Sequence, residues 1–319
     1  MNTTFANLAS ISDKVYQEWY NKTVLVASCD NSYSGEFSVE KREIDIPIYH
    51  DLSVHKTTIK EGEVKPAPIE FIAASTKRVR IDKARYSHFG QTEIGKMLNT
   101  LGDAESESRK KLTNKWAQEA EAELGEWVAF NSGVQEIVIA DGTSNSAGSV
   151  LYAAGATTNT HVDKTNILVM LDALKAIAKK NKMPYKDFSL FASERLATVA
   201  RDANLQFDSV NGDAAFKNGS VGVIDGIDLR EIDIPSITKR NATTGMVEAE
   251  YAIWKAKDGI QYVVPYRNTV EYELSKDQIL LGGKGYQMVE YYDFFNIVPT
   301  RLYRVKIAYK ASATFPSAS

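Results

Sequence analysis

Apolar positions change period several times along the chain, and each change marks a predicted element. Leu8, Ile11, Val15 and Trp19 recur at helical spacing among polar residues, which predicts a short amphipathic helix near the start. Residues 30–36, rich in Asn, Ser and Gly, read as a turn-forming linker. Over 43–49, Ile44, Ile46 and Ile48 alternate with Glu43, Asp45 and Pro47, a period of two that predicts a strand, and Pro47 assigns it to an edge. Residues 60–68 form a charged tip, and 69–83 return as a second strand in which Val79 and Ile81 alternate with Arg78, Arg80 and Asp82. The two strands predict a long β-arm. A lone two-stranded hairpin is marginal in water, so such an arm needs a surface to lie on.

The period then shifts to helical. From Asp103, a suitable N-cap, to Phe130, the residues Leu112, Trp116, Ala120, Leu124, Trp127 and Val128 form a stripe at spacings of three and four, predicting one helix of about 40 Å. The small, polar, glycine-rich run 141–160 reads as a loop and a subdomain boundary. A second helix follows Asp163, with Ile167, Leu168, Met170, Leu171, Leu174 and Ile177 as its apolar set. Lysines crowd its C-terminal end and Pro184 lies beyond. Residues 188–192 predict a short buried strand, and Ser193 caps a helix through Arg201. The run 219–235 holds two β-rich pieces joined at Asp225-Gly226, a pair suited to a type I′ hairpin turn. Further strands are predicted around 247–254, 261–264, 285–292 and 301–311. The order is mixed α+β, without the alternation that builds a parallel α/β sheet.

Charge and chemistry narrow the reading. The formal net charge is −3, with acidic and basic residues interspersed, so the basic excess of a nucleic-acid reader is lacking. Cys29 stands alone, which excludes an intrachain disulfide and leaves His50, His55, His88 and His161 without cysteine partners at metal-ligand spacing. Gly282-Gly283-Lys284-Gly285 lacks the spacing and the Ser or Thr of a phosphate loop; Gly219, Gly222 and Gly226 do not match a dinucleotide fingerprint; Gly142-Thr143-Ser144-Asn145 is no nucleophile elbow. No catalytic, cofactor-binding or metal residues are assigned, and the expectation is a protein that is not an enzyme. The first ten residues show no secretory pattern and no run has the roughly 20 apolar residues of a membrane span, so a cytoplasmic product without membrane association is expected.

The element order resembles the Hong Kong 97-type major capsid proteins of tailed bacteriophages. The matching pieces are the N-terminal helix to Tyr20, the turn Tyr33-Ser34-Gly35-Glu36, the return strand Val79-Arg80-Ile81-Asp82 and the helix 103–130. Phe191-Ala192-Ser193-Glu194 with Leu196 and Arg201-Asp202 looks like that family's strand-then-helix segment, and 219–227 looks like its glycine-punctuated hairpin, with Ile227 where an aromatic is common. The resemblance implies an α+β fold with an N-terminal arm over 1–35 and an extended β-hairpin arm over 36–83. A long spine helix with part of a peripheral domain would occupy 84–140, an A-domain 141–285, and closing peripheral strands 286–319.

It also implies a structural subunit that assembles with itself into hexamers and pentamers of an icosahedral head. Such a shell encloses double-stranded DNA without reading it, is built in the host cytoplasm and meets scaffolding, portal and decoration proteins. The intersubunit surface expected here comprises Trp19, Lys60, Glu61, Lys65, Lys77, Arg78, Arg80 and Lys83, with Arg85 in the same basic cluster. Glu119, Glu121 and Glu123 on the long helix are one candidate for the acidic counterpart on a neighbour; the other reading of the basic cluster is a soluble edge that blocks aggregation. Two alternatives stay open: an encapsulin-type nanocompartment subunit with the same fold, and a soluble α+β enzyme with an unrecognised site.

Overall fold

The computed structural model describes residues 22–38, 40–49, 74–92, 104–140, 149–151, 167–205, 220–224, 226–234, 237–240, 247–274 and 283–308. The N-terminal helix with Trp19, the tip with Lys60, Glu61 and Lys65, and most of the loop 141–160 lie outside them.

Three sheets share these residues. Strands β1 (Glu43–Tyr49) and β2 (Ala74–Arg80) form an antiparallel pair with Ile44 opposite Val79 and Ile46 opposite Lys77. Strand β3 (Lys83–Thr92) joins β11 (Gln261–Leu274) and β12 (Gly283–Phe295) in a three-stranded antiparallel sheet with β12 central. The largest sheet runs β5-β4-β13-β10-β6-β8-β7, with β9 also pairing to β10. Its strands are β4 (Gln135–Ala140), β5 (Ser149–Leu151), β6 (Phe188–Ala192), β7 (Ser220–Ile224), β8 (Ile227–Glu231), β9 (Thr238–Arg240), β10 (Val247–Ala256) and β13 (Leu302–Ala308). Three of its pairings, β4 with β5, β4 with β13 and β6 with β8, are parallel; the others are antiparallel.

Helix α1 (Ala104–Phe130) is the predicted long helix. Of its stripe, Trp116, Ala120, Leu124 and Val128 are buried, while Leu112 and Trp127 pack at the margin. Around them lie Phe191 and Ile253 of the large sheet and Tyr262, Met288, Tyr292 and Phe294 of the three-stranded sheet, so α1 fastens one sheet to the other. Helices α2 (Ile167–Lys180) and α3 (Glu194–Leu205) close a second core with Leu190, Trp254, Tyr303 and Val305. Ser193 Oγ accepts from the Leu196 N–H at 3.4 Å, the expected cap position.

Several predicted elements stand: the strand 43–49, the long helix, the buried strand 188–192 and the hairpin of β7 and β8. Gly226 at the hairpin has φ of +80°, a left-handed conformation that glycine adopts without strain. Others need correction. The return strand does not run to Lys83: it ends at Arg80, and Lys83 opens β3 in a different sheet. The stem of the arm is not unsupported either, because Ile44, Ile46 and Val79 pack with Phe37, Val263 and Phe295 of the same chain. Strand β11 continues ten residues beyond the predicted 261–264. Strands β12 and β13 lie near one another in sequence but in different sheets.

Candidate functional site

The expected interface residues that can be described turn out to have partners inside the chain. Arg78 Nε lies 2.9 Å from Asp45 Oδ1, and Arg80 is 3.5 Å from Glu43 and 2.7 Å from Asp82, all exposed pairs. Lys77 donates to the backbone carbonyl of Asn296. Glu119 faces Lys115 one turn back, 3.8 Å away. Of the carboxylates expected to face a neighbour's basic strand, Glu123 meets that strand within its own molecule.

That meeting is a charged joint between α1 and the three-stranded sheet. Alternation along β3 sends Lys83, Arg85 and Ser87 toward α1, and along β12 it sends Met288, Glu290 and Tyr292 the same way. Lys83 Nζ reaches Glu123 Oε1 at 2.8 Å, and Arg85 Nη2 reaches Glu123 Oε2 at 3.2 Å. The other arm of the Arg85 fork, Nη1, reaches Glu290 Oε2 at 3.2 Å, and Arg267 Nε of β11 reaches Glu290 Oε1 at 3.0 Å. Arg85 also lies 4.3 Å over the Tyr292 ring, and Tyr292 donates its hydroxyl to Glu123. Trp116 Nε1 donates to Ser87 Oγ beside it.

Glu290 is fully buried and Arg85 is 7 % exposed, so each charge exchanges its hydration for the fixed fork of its partner. Burial pushes the Glu290 carboxyl up, opposed by Arg267 and Arg85. Glu123 is half-buried, and the hydrogen bonds from Lys83 and Tyr292 outweigh its burial and hold it below the usual carboxylate range. Every carboxylate oxygen in this joint has a cationic or hydroxyl donor, an arrangement that fixes geometry.

Glu121, one of the expected interface carboxylates, has a different task. Its Oε1 accepts from the N–H of Leu25 at 2.8 Å and of Val26 at 3.1 Å, tying the 3-10 turn Val26–Ser28 to α1. Burial raises its pKa to about 7 in spite of those hydrogen bonds. Lys255 of β10, almost wholly buried, donates to the Ser28 carbonyl at 2.7 Å and holds the other side of the same turn. Cys29 is buried beside it, and burial pushes the thiol up to about 11. Neither role is legible in the sequence, because the groups that Glu121 and Lys255 satisfy lie 95 and 227 positions away.

Among the described residues no group of three or more His, Cys, Asp or Glu is placed to hold a metal ion, and no helix is long and apolar enough to cross a membrane.

No protein-family model matches the sequence, and no curated protein matches it. Solved structures do. A structure from Mycobacterium phage Che8 is 14 % identical, with 89 % of this chain and 90 % of that one covered at a TM-score of 0.60. The capsid structure of the cyanophage P-SCSP1u is 16 % identical, with 89 % and 87 % covered at 0.58. The virus-like particle from Pyrococcus furiosus is 9 % identical, with 94 % and 99 % covered at 0.51. The described α+β architecture of this chain is the fold of phage capsid proteins.

Proposed function

We propose that the chain is the major capsid protein of a tailed phage, a non-enzymatic structural subunit whose copies close into an icosahedral shell around double-stranded DNA. The observation that carries this reading is the span of the likeness: one fold accounts for about nine-tenths of this chain and of the phage chains alike. In the finer reading, 36–80 is the extended arm, α1 the spine helix, the three-stranded sheet the peripheral domain and the large sheet the A-domain.

Heterologous contacts that close into rings give hexamers and pentamers, and many weak contacts summed over a closed lattice hold the shell. Trp19, Lys60, Glu61, Lys65, Lys77, Arg78, Arg80 and Glu119 belong to the proposed intersubunit surface. Lys83, Glu121 and Glu123 act within the subunit. Scaffolding, portal and decoration proteins are the proposed partners, with assembly in the host cytoplasm and the virion as destination.

The likeness to the Pyrococcus furiosus particle keeps a second reading, an encapsulin-type shell around a cellular cargo. Negative-stain microscopy of the purified chain tests both. Closed particles are the expected result, and a monodisperse monomer at every concentration, with or without a co-expressed scaffold, would overturn them. Nuclease-protected double-stranded DNA inside particles from infected cells separates the phage head from the cargo compartment.

A further inference from the structure

The three-stranded sheet packs its buried ions, with Tyr262, Met288, Tyr292 and Phe294, toward α1, and carries a second set of aromatic side chains on its opposite face. Strand register builds the outer face in rows. Ala84, Tyr291 and Tyr266 form one row; Tyr86, Val289 and Asn268 the next; His88, Gln287 and Val270 the third; and Tyr272 extends the face beside Gly285. None of these is Asp, Glu, Lys or Arg.

The Tyr291 end is occupied from within the chain: Tyr266 stacks on Tyr291 at 5.3 Å and the Arg42 guanidinium lies 5.7 Å over Tyr291. Among the described residues the other end is open. Tyr86 is 67 % exposed, Val270 45 % and Tyr272 39 %, and His88 lies 5.7 Å from the Tyr86 ring and 6.5 Å from that of Tyr272. Tyr272 is laid down over Gly285, where a Cβ would come within 2.5 Å of its ring, so the face is held flat by a glycine on the central strand.

The size and the charge of this face identify what covers it. First, strands about 4.8 Å apart and rows about 7 Å apart give the patch an area of roughly 300–400 Å². A patch of that size is often functional. It is less than half of the roughly 800 Å² per partner that a stable pair in solution buries. A contact of this size is useful where the same pair of surfaces recurs many times. Second, the face presents no Asp, Glu, Lys or Arg, so two copies can bring it together without opposing like charges.

We infer that the Tyr86–His88–Val270–Tyr272 face is a lattice contact covered by a neighbouring copy of this chain. The inference deepens the shell reading and rests on it.

The test uses the full chain and tyrosine nitration followed by peptide mass mapping. Tyr86 and Tyr272 are expected to react in free subunits and to be protected at least about fivefold in assembled particles; equal reactivity in both states overturns the inference. Independently, Tyr86→Glu and the uncharged double variant Tyr86→Ser/Val270→Ser are expected to keep the wild-type melting transition and to lower particle yield at least about tenfold. Particles at wild-type yield from folded variants refute the face while leaving the shell reading intact. A wild-type chain that forms no particles overturns the shell reading and this inference with it.

Discussion

Single residues in this molecule matter most where a charge has been taken out of water. Glu290 holds both Arg85 and Arg267, and its removal leaves a guanidinium that is 7 % exposed with Glu123 as the remaining carboxylate bonded to it among the described residues. Glu290→Ala should therefore cost about 3–5 kcal/mol in chemical denaturation, the magnitude of a broken buried pair. Arg304 is a comparable case at lower stakes. It pairs with Glu136 at 2.8 Å and donates to the Ala129 and Asn131 carbonyls at 3.0 Å each, so a residue from β13 serves the C-terminal end of α1, whose own last turn has no basic residue. Arg304→Ala is expected to cost about 1–3 kcal/mol by the same measurement.

Glu121 gives a pH dependence whose sign is fixed. Its folded pKa of about 7 lies above the ordinary value of 4.5, so over that interval the folded form binds more protons than the unfolded chain. Its contribution to stability is complete below the ordinary value and is lost as pH rises through the folded one. Glu121→Gln keeps an acceptor for the Leu25 and Val26 N–H groups without the titration. The difference in urea midpoint between wild type and Glu121→Gln should move in favour of the variant between pH 4.5 and 7; a constant difference would refute the assignment.

Among elements, α1 is the one that joins the sheets, and the stem of β1 and β2 is the one least tied to them. Trp116 and Leu124 on α1 are essentially inaccessible and pack among residues of both sheets, a burial of about 1.5–3 kcal/mol for each side chain. The stem depends on a smaller cluster around Ile46, which is 1 % exposed. Ile46→Ala is expected to remove about 2–4 kcal/mol from that cluster. Hydrogen exchange should then show protection lost in 43–49 and 74–80 while β6, β10 and β13 keep theirs, because the stem is a separate sheet. Simultaneous loss across all strands would mean that stem and body unfold as one unit.

At the scale of the whole molecule, the shell reading makes the tip 60–68 dispensable for folding and necessary for assembly. Deleting it should leave the melting transition of the subunit within a few degrees of wild type and abolish closed particles in micrographs. A variant that unfolds would place those residues in the subunit's own stability instead.

The elements whose burial follows their sequence period are legible from the order of residues alone. The stripe of α1, the alternation of β1, the apolar run of β6 and the Gly226 turn are local signals, and each forms where it is expected. Strand β3 is hidden because its inward positions carry Lys83 and Arg85, so its polarity runs opposite to the usual rule, and taking those charges as surface puts their partners on a neighbour. What the sequence by itself determined is the order and kind of most elements and the resemblance that their order carries. Which carboxylate answers which cation was decided only by the tertiary structure, as was the aromatic face of the sheet. Both depend on β3 lying beside β12, more than 150 positions away in the chain, and no local period records a partner at that distance.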